Sequence, residues 1–224
     1  MDRVLGVDAC KTGWVGIALG EAVDAYYAET IADLVAKAGS VCLVAVDMPI
    51  GLPDIGCREA DVRAREEIGG MWLSVFMTPT RAAIDAPDYA SANERNRDLD
   101  GGGISKQAYS LRTKLLEVDR WVRETPHEVV EVHPEVSFAK LNGQPLVARK
   151  KTWAGAAHRR RLLAGAGIVL RDDLGEAGKH AAVDDVLDAA AAAWTARRVA
   201  RGEAVSYPDR PEVFSDGLPA AIWA

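Results

Sequence analysis

The chain has 224 residues, 49% of them hydrophobic and 27% charged, which is enough to bury one core of ordinary globular composition and excludes a disordered chain. A net charge of -6 argues against a protein that coats nucleic acid nonspecifically, yet it leaves room for a local basic patch, because attraction to phosphate depends on where charge sits. Cys10, Cys42 and Cys57 lack metal-type spacing, no basic leader-type region opens the chain, and no apolar run reaches the roughly 18 residues that span a bilayer. The expectation is a soluble, cytoplasmic protein with neither a disulfide framework nor a zinc site.

In chain order, residues 3–9 (RVLGVDA) and 14–20 (WVGIALG) read as two strands joined by the turn-prone CKTG, and residues 22–30 can extend the meander. Residues 31–38 (IADLVAKA) predict a short helix closed by Gly39. Residues 41–48 are almost uniformly apolar and predict a central parallel strand covered on both faces, so the order begins β-β-β-α-β. From about 52 to 108 the texture turns to mixed Pro, Gly, Arg and Asp, which predicts an irregular, partly helical insertion in a single domain spanning 1–224; within it DVRAREEIGG reads as helix and SVFMTPTR as a loop or short strand. The triple glycine at 101–103 marks a joint. Beyond it, Leu111, Leu115, Val118 and Val122 repeat at helical spacing within 106–124, residues 128–136 alternate as a strand, and 152–165 and 182–201 read as helices, the last built on an alanine run suited to close packing.

Acids stand out against these patterns. Asp8 lies near the end of the first strand and Asp47 near the end of the fourth, each after apolar residues, and buried strands seldom keep unpaired carboxylates. If those strands are parallel neighbours, both acids meet at the carboxyl edge where α/β sheets bind ligands. Asp185 and Asp188 stand three apart on one face of the last helix and would complete a cluster. Clustered carboxylates repel one another unless a cation neutralises them, so the pattern predicts Mg²⁺ or Mn²⁺ and metal-assisted phosphoryl chemistry. A structural reading stands beside each acid: Asp8 can open an Asx turn, Asp47 can terminate a strand, Asp184 can cap the helix and Asp185 can favour its dipole. Asp188, one turn deeper and followed by alanines, has neither cap nor first-turn dipole to explain it.

GVDACKTGW, VDMPIGL, SVFMTPTR, ISKQAY, EVHPEVSF and DDVLDAAAAAW, in this order along nearly the whole chain, resemble the uncharacterised domain family 429, whose members are described as predicted ribonuclease H-like nucleases. The resemblance implies a ribonuclease H-like α/β fold, a mixed five-stranded sheet with helices on both faces. It also implies a metal-dependent nuclease acting on a nucleic acid, with Asp8, Asp47, Asp185 and Asp188 as catalytic metal ligands.

Glu131, His133 and Glu135 would share one side of their strand, which makes Glu131 a reserve metal ligand beside the alternative of an exposed edge-strand face. RKKTWAGAAHRRR, residues 149–161, holds six Lys or Arg and no acid, and reads equally as a phosphate-binding segment or a solvated helix face. Lys11, Arg81, Lys106 and Arg112, in the family-like stretches, are candidate substrate-phosphate contacts. Two rival functions share the topology: an actin-like or sugar-kinase-type phosphotransferase, whose first hairpin turn grips phosphate, and a non-catalytic nucleic-acid or protein binding module. The sequence leaves RNA, DNA or a small nucleotide open as substrate, and homodimerisation open as well.

Overall fold

The computed structural model describes residues 3–100 and 102–224; Gly101, in the predicted joint, lies outside them. Strands β1 (Val4–Cys10), β2 (Gly13–Leu19) and β3 (Val23–Ala28) form the predicted meander, and helix α1 (Ile31–Ala38) leads to β4 (Leu43–Val46). The ends of α1 follow its sequence signals: Thr30 Oγ1 accepts the Asp33 N–H at 3.1 Å, and Gly39, at φ 75°, closes the helix in a conformation that side chains rarely adopt.

The insertion is mostly helical: α2 (Glu59–Ile68), a 3₁₀ turn at Gly69–Ser74, α3 (Arg81–Ile84), α4 (Tyr89–Asp100) and α5 (Lys106–Ser110). SVFMTPTR forms no strand. Its backbone is instead held by side chains, with the Thr78 N–H donating to Asp61 and the Thr80 N–H to Asn96. The helix expected over 106–124 is divided at Leu111 into α5 and α6 (Arg112–Glu124).

Strand β5 (Glu128–Val132) ends four residues earlier than expected, because Pro134 opens α7 (Pro134–Asn142) at the first helical position, where a missing N–H costs nothing. Glu135 is therefore a helical residue and does not share a strand face with Glu131. After α8 (Trp153–Gly165), α9 (Glu176–His180) and α10 (Val183–Ala200), the chain adds a hairpin, β6 (Ser206–Val213) and β7 (Pro219–Trp223).

The sheet accordingly has seven strands, not five, in the order β3-β2-β1-β4-β5-β7-β6. The expected five are its first five. β4 and β5 run parallel to β1, β7 runs parallel to β5, and β6 closes the edge antiparallel to β7. Pro208 and Pro211 give β6 the composition of a loop, and an edge strand with irregular pairing tolerates them.

Both faces of the sheet are covered. Alternation along β4 sends Leu43 and Ala45 into a core with α7, α8 and α10, and Val44 and Val46 into a second core with α1 and α6. α10 lies directly on β1. A Cβ at Gly6 would stand 2.0 Å from the Ala193 nitrogen and 2.2 Å from the Ala189 oxygen, so glycine on the strand and alanine on the helix let the two backbones meet. Among the described residues no helix is long and apolar enough to cross a membrane.

Candidate metal centre

The β1–β4 register pairs Val7 with Val46, which sets Asp8 and Asp47 side by side at the carboxyl edge of the sheet. The Asp47 N–H donates to the Val7 carbonyl at 2.9 Å and fixes the backbone there. Because α10 is pressed onto β1 through Gly6, its second turn delivers Asp188 to the same point. One carboxylate oxygen from each of Asp8, Asp47 and Asp188 lies within 4.8 Å of the others. Asp8 and Asp188 are buried, 7% and 0% exposed, and Asp47 is half-buried.

Burial pushes the Asp8 carboxyl well above the ordinary carboxylate range, and the charges of Asp47 and Asp188 raise it further. Burial likewise lifts Asp47 and Asp188 to about 7, against the opposing pull of Lys150. The Lys150 ammonium donates to Asp188 Oδ2. Burial pulls this lysine's pKa down, but Asp188, Asp47 and Asp8 outweigh it and hold the ammonium charged. Asp188 Oδ1 is buried and has no hydrogen-bond partner among the described residues. An orphaned carboxylate oxygen is costly, and a cation removes the cost. Three convergent carboxylates with one oxygen unsatisfied fit a hard divalent ion, which prefers oxygen ligands.

The cluster forms one wall of a cleft of about 560 Å³. Lys150 and Lys151 line it, as do Asp184, Asp185, Glu131, His133 and Glu135. Asp185 is turned to its own helix: its Oδ2 accepts the Ala182 N–H at 3.1 Å, the reciprocal half of a capping box, and Ala182, not Asp184, is the N-cap. Asp184 lies 3.8 Å from the Lys151 ammonium. Glu131 takes both of its carboxylate oxygens to Arg58 Nη2 at 2.7 Å and also accepts the Ile50 N–H at 2.7 Å. It thereby anchors the VDMPIGL loop behind Asp47. Glu135 is similarly engaged with Arg159 Nη2 at 2.7 Å.

None of the four residues expected to contact substrate phosphate lines the cleft. Arg81 is held by Asp119 and Asp216, and Arg112 donates to the Ile84 carbonyl. Lys11 and Lys106 are exposed elsewhere. The cations that do line it come from the basic run at 149–161, where Lys150 and Lys151 carried no individual mark. A lysine among lysines signals nothing by itself, and only the acids it meets in the fold, Asp188 first, distinguish it.

Comparison with curated proteins and with solved structures finds no match. The sequence profile of a protein family of unknown function, DUF429, matches residues 6–213, a stretch from β1 to the end of β6 that contains all three clustered acids. This chain belongs to that family.

Proposed function

We propose that the protein is a divalent-metal-dependent nuclease, built on a ribonuclease H-like core, that hydrolyses phosphodiester bonds with Mg²⁺ or Mn²⁺ held by Asp8, Asp47 and Asp188. The observation that carries this reading is the convergence of these three carboxylates within 4.8 Å, with Asp188 Oδ1 left unsatisfied. The strand order β3-β2-β1-β4-β5, antiparallel through the meander and parallel from β1 to β5, supports the ribonuclease H-like assignment.

A bound divalent ion supplies Lewis-acid stabilisation of the negative charge that develops on the phosphate. The rest falls to the chain. Asp8 and Asp47 are fixed by the sheet and Asp188 by a buried helix, so the ligand set is rigid before any ion arrives. Glu131 and Arg58 brace the loop that follows Asp47. Lys150, 35% exposed at its side chain, neutralises part of the cluster's charge and stands where an incoming phosphate would enter. Asp185 adds negative charge at the rim while its hydrogen bond serves the start of α10.

The test is cleavage of labelled single-stranded, duplex and branched RNA and DNA with Mn²⁺, Mg²⁺ or EDTA. Metal-dependent cleavage of at least one class, abolished in Asp47→Asn and in Asp188→Asn, is expected. Mn²⁺ binding by the wild type without cleavage of any substrate would reject the nuclease reading in favour of a binding module.

A further inference from the structure

Helix α8 carries Trp153, Ala156, Ala157, Arg160, Arg161 and Ala164 along one stripe at helical spacing, and this stripe lines a second groove of about 700 Å³. Val183 and Val186 of α10 form the facing wall. The surface is apolar at its floor and basic at its edge. Trp153 is 90% exposed and Val183 67%, large apolar area that water covers poorly. Arg160 is paired with Asp172 and the Leu170 carbonyl, whereas Arg161 and Arg171 have no ion-pair partner among the described residues. In a chain of net charge -6 this is a local concentration of positive charge beside an exposed indole.

The groove and the acidic cleft are lined by neighbouring positions of the chain. Lys151 lines the cleft and Trp153, two residues on, lines the groove; on α10, Val183 lines the groove and Asp184 the cleft. We propose that the groove is a track for single-stranded nucleic acid, in which Trp153 stacks on a base, Arg161 and Arg171 meet backbone phosphates, and the strand continues past Lys151 into the cleft. A basic edge answers a polyanion, and an apolar floor with an accessible aromatic face answers bases that are not already stacked, which a duplex does not offer. The strand's destination rests on the phosphodiesterase reading above, but its binding requires no metal.

The experiment is fluorescence anisotropy of a labelled oligothymidylate of about 20 nucleotides in EDTA, with an unlabelled duplex as competitor. Trp153→Ala, a change at an exposed position, should weaken binding about 10-fold or more, with Trp153→Phe retaining most of it. Arg161→Gln should lower the salt dependence by about one released ion, and the duplex should compete poorly. Binding of the strand by Trp153→Ala at wild-type strength, or no binding by the wild type, overturns the proposal. In the latter case, loss of self-association in Trp153→Ala by sedimentation would assign the groove to contact between copies of this chain. Strand binding that depends on Trp153 in a protein that takes up no Mn²⁺ would uphold the track and sink the metal-dependent reading instead.

Discussion

Lys150 and Asp188 set the charge balance of the cleft. Asp188 is fully buried, and its carboxylate has Lys150 as ion-pair partner on one oxygen and no hydrogen-bond partner among the described residues on the other. At pH 8, above the range where Asp188 takes up a proton, Lys150→Met should therefore remove the partner of a buried carboxylate and lower stability in EDTA by about 1–3 kcal/mol, less than for a sealed pair because the lysine is partly exposed. Added Mn²⁺ should recover part of the loss in a thermal melt; a melt unchanged by the substitution would show that the pair contributes nothing. The acids also predict a pH dependence with a definite sign. Asp47 and Asp188 are raised from 3.8 to about 7 in the fold, so the native state holds protons that the unfolded chain releases. The stability they contribute is present in full below about pH 4 and is lost as pH rises through 7. Calorimetry in EDTA should find this decline between about pH 4 and pH 7, and Asp47→Asn should flatten it; identical pH slopes in both proteins would contradict the assignment. Asp8, Asp47 and Asp188 are legible in the sequence because each interrupts an apolar run, and Asp188 has in addition no cap or first-turn dipole to explain it. Lys150 is not, since a charge in a basic run looks solvated until the fold supplies its partner.

At the scale of elements, the site depends on how closely α10 lies on β1. That contact is made by Gly6 against the backbone at Ala189, Ala192 and Ala193. Gly6→Ala should force the helix outward, costing about 1–3 kcal/mol or more in urea denaturation, and should weaken Mn²⁺ binding as Asp188 retreats from Asp8 and Asp47. Wild-type stability in this variant would mean that the helix has slack the packing does not show. Elements with strong periodicity were readable: the meander, β4, α1, and the alanine-rich helix whose small residues signal close approach. Those that were missed lacked the signal. α4 (YASANERNRDLD) has no apolar stripe, its buried side chains including Ala92 and the polar Asn96. β6 carries prolines that suit only an edge. The pattern EVVEVHPEV overextends β5 because it alternates straight through the residue where Pro134 starts a helix, and alternation cannot report that boundary.

Across the whole molecule, the sheet brings together acids separated by up to 180 positions, and two buried arginine pairs brace their surroundings. Arg58 ties α2's start to Glu131 on β5, and Arg159 ties α8 to Glu135 on α7, all four side chains 5% exposed or less. Such pairs are costly to bury and costlier to break, which suits a frame that must hold repelling carboxylates together. The C-terminal hairpin joins the same frame through Asp216, which accepts the Leu52 N–H at 2.7 Å and the Arg81 guanidinium at 2.9 Å. On the proposed reading this frame seats a divalent cation among Asp8, Asp47 and Asp188. Calorimetric titration of Mn²⁺ into wild type and Asp8→Asn at pH 7 tests it most directly. Saturable binding by the wild type, accompanied by proton release and weakened at least about 10-fold by the substitution, is the predicted result; equal affinity in the two proteins, or none in the wild type, would contradict it.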